Sequence, residues 1–290
     1  MSLTVDTNTV TLNNKTTIPA VALGTWQAST GEAKEAVKVA LQNHYRHIDT
    51  AALYKNEAEV GEGIIESGIP REEIYLTTKL AVTDFFNVQE AFEESLKKLK
   101  VDYVDLYLMH WPYAVNQETQ ERIPCDFVDV YKEMQKLLKT GKVKSIGVSN
   151  FTKKKMERLL ADPEVTVKPV VNQIELHPLL PQDEFIAWLK ENDIQVEAYC
   201  PLGSSQANLI DNETIKTVAE KYHADPGQIL VSWAVQRGTI VLPKSVTEHR
   251  IISNLKTVVL SDEDFETINN LHKKEGIKRV VNPKWNDFDD

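Results

Sequence analysis

Short apolar runs alternate with amphipathic stretches of helical period along almost the whole chain. The runs at 20–23, 46–48, 74–78, 104–108, 145–148, 169–174, 195–198 and 239–242 have the length and composition of strands. Between them, segments at 32–42, 57–65, 88–99, 126–138, 153–160 and 182–190 and the pair 212–221 and 226–236 repeat apolar positions at helical spacing. Strands that alternate with helices predict a parallel sheet covered by helices. Eight such units fit a closed (β/α)8 TIM barrel, an α/β fold, better than an open doubly wound sheet. The pattern adds an N-terminal β-hairpin, 9–12 and 16–18 about Asn13-Asn14, and extra C-terminal helices at 247–255 and 261–273. An irregular C-terminal tail, 275–290, carries Trp285 in polar surroundings, which predicts that this tail covers something. No linker or charge-block boundary interrupts the chain, which reads as a single domain over 1–290.

In such a barrel, the carboxyl ends of the strands line the active site. That rule gathers Asp49, Lys79, His110, Ser149 with Asn150, Gln173, Tyr199 and Lys244 on one rim, with Tyr54 on the loop after Asp49. Each has an ordinary structural reading when taken alone: Asp49 as a turn residue, Lys79 at the surface, His110 capped by Trp111-Pro112, Gln173 a satisfied core amide. Their joint placement under one rule points to a site.

Composition narrows what that site meets. A net charge of −10, from 33 basic and 43 acidic residues, argues against nucleic acid or an anionic membrane as the main partner. A bound phosphate then needs a local basic cluster, and Lys244-Ser245 with Arg250, and Thr247 at a helix start, supply one. The first residues lack a secretory signal and no apolar run approaches a membrane span, so a cytoplasmic protein is expected. Cys125 and Cys200 are far apart and read as free thiols. No zinc spacing occurs, His44 and His47 have no companions, and no metal is expected. An open dinucleotide-binding sheet needs GxGxxG after its first strand, where this chain has Gly24-Thr25-Trp26; Gly61-Glu62-Gly63 lies inside a helical stretch and lacks the third glycine. A P-loop is absent, and Gly147-Val148-Ser149-Asn150-Phe151 lacks the second glycine of GxSxG.

Longer motifs add a resemblance. GTW at 24–26, YRHIDTAALYKNEAEVG from Tyr45, TTKL at 77–80, DYVDLYLMHWP at 102–112, GVSNF at 147–151, VNQIELHPLLPQ at 171–182, AYCPLGS at 198–204 and LPKSV at 242–246 together resemble the aldo-keto reductase family. The similarity runs in order over nearly the whole chain, and is strongest to yeast-type members acting on glycerol-related and small carbonyl substrates. It implies NADPH-dependent reduction of aldehydes and ketones to alcohols by hydride transfer. The family's catalytic positions fall on Asp49, Tyr54, Lys79 and His110, with Tyr54 as proton donor, Lys79 lowering its pKa, Asp49 partnering Lys79 and His110 orienting the carbonyl. Ser149, Asn150 and Gln173 are expected on the nicotinamide carboxamide, with Tyr199 stacked on the ring. Gly24, Thr25, Trp26, Asp49, Leu202 and Ser204 join the cofactor contacts, and Lys244, Ser245, Val246, Thr247, Arg250 and Asn254 those of the phosphate end, which predicts NADPH over NADH. Trp26, Ala81, His110, Trp111 and Trp285 are expected to line the substrate pocket, with the tail nearby. A monomer with a small-molecule carbonyl substrate is implied, without nucleic-acid or membrane partners.

The chain departs from the family at three places. Ser253 stands where Glu is common before Asn254. Ala81 stands where relatives carry a large aromatic, which predicts a wider pocket for bulky ketones or ketoesters. The stretch 201–211 is shorter than the cofactor-covering loop of longer animal relatives, which predicts looser closure and faster cofactor exchange. Two other readings are open. A glycosidase needs a second strand-end acid, and Glu175 reads instead as part of the 173–178 connection. A non-catalytic cofactor-binding subunit of the kind that docks on ion channels would share the fold, and the complete catalytic set weighs against it.

Overall fold

The computed structural model describes residues 2–288. Eight parallel strands form one sheet: β1 Leu23–Gly24, β2 His47–Asp49, β3 Tyr75–Leu80, β4 Val104–Met109, β5 Val143–Ser149, β6 Val171–Glu175, β7 Gln195–Tyr199 and β8 Ile240–Val241. Neighbours in the sheet follow chain order, and parallel bridges Val21 to Val241 and Gly24 to Lys244 join the first strand to the last. The sheet therefore closes into the expected barrel. Around it lie α1 Glu32–Gln42, α2 Glu57–Ser67, α3 Val88–Leu99, α4 Phe127–Leu137, α5 Lys153–Ala161, α6 Asp183–Glu191, α7 Glu213–Tyr222 and α8 Pro226–Gln236. Local chemistry starts several of them. Asp126, Thr152 and Asn212 cap α4, α5 and α7 through their side chains, and Asp225 with Gln228 forms a capping box ahead of Pro226. Among the described residues no helix is long and apolar enough to cross a membrane.

The N-terminal hairpin, Thr9–Thr11 paired with Thr17–Pro19, closes one mouth of the barrel. Leu12 and Ile18 pack there against Leu106, Leu108, Val171, Ile240 and Leu242. This apolar plug leaves the opposite mouth to polar residues. Register then sets their heights: Asp49 pairs with Gly24 and Thr77, Lys79 with Leu108, and Gln173 with Glu197.

Strands run past the apolar stretches that announce them. β3 continues to Leu80, β5 to Ser149, β6 to Glu175 and β7 to Tyr199, so Lys79, Ser149 and Tyr199 belong to the ladder and do not follow it. Polar side chains end a hydrophobic pattern without ending backbone pairing. The helix expected over 261–273 breaks at Asn270 into Asp262–Asn269 and Leu271–Glu275. Two-residue strands, Thr4–Val5 with Lys256–Thr257 and Ala114–Val115 with Arg122–Ile123, are too short to leave a sequence pattern.

Gly61 and Gly63 have a packing role. A Cβ on Gly61 would lie 2.3 Å from the Leu99 carbonyl oxygen, and one on Gly63 2.5 Å from that of Lys34. The backbone of α2 thus rests directly on α1 and on the end of α3. Gly61→Ala should destabilise the fold by about 1–3 kcal/mol through overpacking. A urea titration checks this as a lower midpoint at unchanged slope.

Candidate active site

The polar mouth is organised by a buried ion pair. Lys79, without solvent exposure, donates from Nζ to Asp49 Oδ1 at 2.6 Å, to the Thr50 carbonyl at 2.9 Å and to Tyr54 Oη at 3.3 Å. Three acceptors match the three hydrogens of an ammonium group. Tyr54 reaches this position on a 3-10 turn, Ala52–Tyr54, ended by Lys55 in the left-handed region at φ 58°. Because Tyr54 Oη accepts from Lys79, its own hydrogen is free for the adjoining cavity.

Burial, with the negative charge of Asp49, pushes the Tyr54 phenol well above its ordinary pKa. Desolvation is the largest cause, and Lys79 Nζ donates to the phenol oxygen at 3.3 Å. Tyr54 is accordingly a protonated hydroxyl at neutral pH. His110 stands edge-on to it with ring centroids 5.5 Å apart. Burial and the nearby Lys79 hold the imidazole well below its usual pKa, so the ring is neutral. Among the described residues its Nδ1 is buried without a hydrogen-bond partner.

Gln173 links this group to a second carboxyl. Its Nε2 donates to Asp49 Oδ2 and to Glu197 Oε2, both at 2.8 Å. Burial and then Asp49 push Glu197 up to about 8. Glu197 is absent from the sequence reading, yet its signal is simple. Side chains alternate along a strand, so an inward Tyr199 implies an inward Glu197. Ser149 Oγ donates to the Gln173 carbonyl at 2.9 Å. Asn150, at φ 63°, donates to the His110 carbonyl and to Ser149 Oγ, and its Oδ1 accepts from the Tyr199 hydroxyl at 2.7 Å. With its donors engaged, Gln173 presents Oε1 as an acceptor, a match for a primary amide.

These groups face a cavity of about 580 Å³. Of the residues expected in the site, Gly24, Thr25, Trp26, Asp49, Tyr54, His110, Trp111, Ser149, Asn150, Gln173, Tyr199, Leu202, Ser204, Lys244 and Trp285 line it, and Lys79 sits behind Asp49 and Tyr54. Ser245, Val246, Thr247, Arg250 and Asn254 lie beyond its lining. Ser245 Oγ accepts from the Thr247 amide, and Asn254 Oδ1 occupies the space a Cβ on Gly227 would need, so both shape the turn and helix following Lys244. Ser253, the departure beside Asn254, is buried, its hydroxyl turned back to the Arg250 carbonyl at 3.4 Å.

Ala81 is buried and lies outside the cavity lining, while Leu53, Trp111, Trp285 and the tail line it, with Val82 packed against Trp111. Gln27, Leu53, Cys200, Gln206 and residues 280–283 line the cavity without having been anticipated. The tail does cover the pocket, since Trp285 meets Trp111 edge-on at 5.1 Å.

The model of the Aldo/keto reductase family matches residues 20–273. The chain is 47% identical to glycerol 2-dehydrogenase (NADP(+)) of Saccharomyces cerevisiae, over 98% of this chain and 96% of that protein. It is 46% identical to aldehyde reductase YPR1 of the same yeast, over 97% and 96%. Among solved structures, a Bombyx mori aldo-keto reductase in complex with NADP is 37% identical, with a TM-score of 0.85, over 92% of this chain and 93% of that one.

Lys79→Met would leave the Asp49 carboxylate buried without its cation. A loss of about 3–5 kcal/mol is expected. Chemical denaturation checks it, and the double variant Asp49→Asn/Lys79→Met should recover most of the loss by removing the unpaired charge.

Proposed function

This chain belongs to the aldo/keto reductase family, and we propose that it reduces the carbonyl group of small aldehydes and ketones to an alcohol, with NADPH as hydride source and Tyr54 as proton donor. The observation that carries the reading is the meeting, on one cavity wall, of the Tyr54 hydroxyl, the Lys79–Asp49 pair and a neutral His110. Two of the similar yeast proteins are named for NADP(+)-dependent glycerol oxidation and for aldehyde reduction.

The residues present fit a nicotinamide cofactor. Gln173 offers an acceptor to a carboxamide, and Tyr199 an aromatic face to a planar ring. Lys244 stands on the rim with Nζ on the Gln27 carbonyl, and Ser245, Thr247 and Arg250 follow as donors suited to a 2′-phosphate. When bound, NADPH supplies a hydride to the carbonyl carbon. As that C–H bond forms, the C=O π pair moves onto oxygen, where negative charge develops. His110 Nε2–H points the oxygen by hydrogen bonding, and the Tyr54 O–H bond breaks to deliver the proton to it. The resulting phenolate lies beside Lys79 Nζ, and the cavity lets solvent return a proton. We take the active form to be a monomer.

The substrate end is apolar. Leu53, Trp111 and Trp285 shape it, and few polar groups fix orientation there.

Tyr54→Phe should lower carbonyl-dependent NADPH oxidation by on the order of 10²–10⁴ while leaving quenching of protein fluorescence by NADPH intact. Unchanged turnover would remove Tyr54 from the donor role. NADPH binding by the wild type without turnover of any carbonyl would support a non-catalytic cofactor-binding protein. Efficiency with NADPH should exceed that with NADH, and equal values would contradict the role given to Lys244 and Arg250.

A further inference from the structure

Glu175 ends β6, two residues beyond Gln173, and has no solvent exposure. It does not line the cavity. Its carboxylate instead holds a segment more than a hundred residues away in the chain: Oε1 accepts from the Val280 amide at 2.6 Å and from His177 Nε2 at 2.9 Å, and Oε2 accepts from the Val281 amide at 2.7 Å. We propose that Glu175 is a specificity-determining positioning residue, the anchor that turns the C-terminal tail into a wall of the substrate pocket.

The tail from Gly276 onward has no helix or strand among the described residues, so its amide groups lack ladder partners. A half-buried amide without an acceptor is costly, and the segment needs acceptors supplied from elsewhere. The connection after β6 supplies them. Glu175 takes the amides of Val280 and Val281, and the Leu179 carbonyl takes that of Lys278 at 2.9 Å. At the far end, the Tyr113 hydroxyl donates to the Asp287 carbonyl at 2.9 Å. Between these ties Val281, Pro283 and Trp285 face the cavity. The wall therefore stands where the carboxylate puts it.

Glutamate has a chemical reason to be here. A carboxylate offers an acceptor oxygen to each amide, and bonds to an ionised acceptor are stronger than neutral ones. A glutamine of the same shape keeps one acceptor and turns an NH2 group toward the other donor. This also accounts for the buried acid that the sequence suggested only as part of a connection. It serves neither glycoside hydrolysis nor hydride transfer.

The pocket consequence rests on the carbonyl reductase reading, so the test has one arm that does not. Trypsin cuts the Arg279–Val280 bond, whose amide nitrogen is the one bonded to Glu175. In the holoenzyme with NADPH, Glu175→Gln should show faster nicking after Arg279 by mass spectrometry, and Glu175→Leu faster still. KM for an aryl aldehyde should rise about tenfold in Glu175→Gln, while KM for glyoxal, too small to reach the wall, changes far less and kcat falls less than KM rises. Wild-type nicking rates together with unchanged KM in Glu175→Gln overturn the proposal. If Glu175→Leu fails to fold, the Gln variant alone decides by the same criteria. Faster nicking with no carbonyl turnover by the wild type would uphold the anchor and overturn the reductase reading instead.

Discussion

A lysine ammonium buried 2.6 Å from a buried carboxylate is the constraint that the rest of this molecule serves. Each of these ions costs several kcal/mol to take out of water, and their attraction offsets this only when the remaining donors and lone pairs are satisfied. The structure satisfies them in sequence. Lys79 spends its other hydrogens on Thr50 and Tyr54, Asp49 spends its second oxygen on Gln173, and Gln173 spends its second hydrogen on Glu197. Residues from four strands and a 3-10 turn are thereby held in fixed relation, and one of them is the proposed proton donor.

A closed barrel suits such a network because it has two unlike mouths. The hairpin plug keeps one mouth dry and apolar. The other mouth holds the buried Lys79–Asp49 pair, whose attraction is strengthened by the low dielectric around it. Desolvation has a chemical consequence there: it keeps His110 uncharged and Tyr54 protonated, the states a hydrogen-bonding guide and an acid require. In the proposed reaction, the adjoining ammonium acts as negative charge passes to the phenol during proton transfer.

Much of this was legible in the sequence. Period and order gave the barrel, and the strand-end rule gathered Asp49, Lys79, His110, Gln173 and Tyr199. Two acids escaped for physical reasons. Glu197 lies mid-strand, where a buried acid contradicts the usual apolar pattern, and its reason for being there, the amide of Gln173, comes from a neighbouring strand. Glu175 has partners more than a hundred residues away, in a segment with no periodicity to read. The pocket walls were legible in part: Trp111 and Trp285 were named in advance, while residues 280–283 lie in a segment without periodicity. Distant irregular segments are what local pattern reads least well, and here they complete the pocket.

The central claim is that a phenol held protonated by its surroundings gives the proton. The most direct measurement is single-turnover stopped-flow oxidation of bound NADPH by a saturating small aldehyde across the neutral pH range. Because burial and Asp49 hold Tyr54 well above its ordinary pKa, the rate should stay level across that range. A rate that falls through neutrality, with the titration of an imidazole-like group, would mean that another residue donates the proton, and would contradict the account.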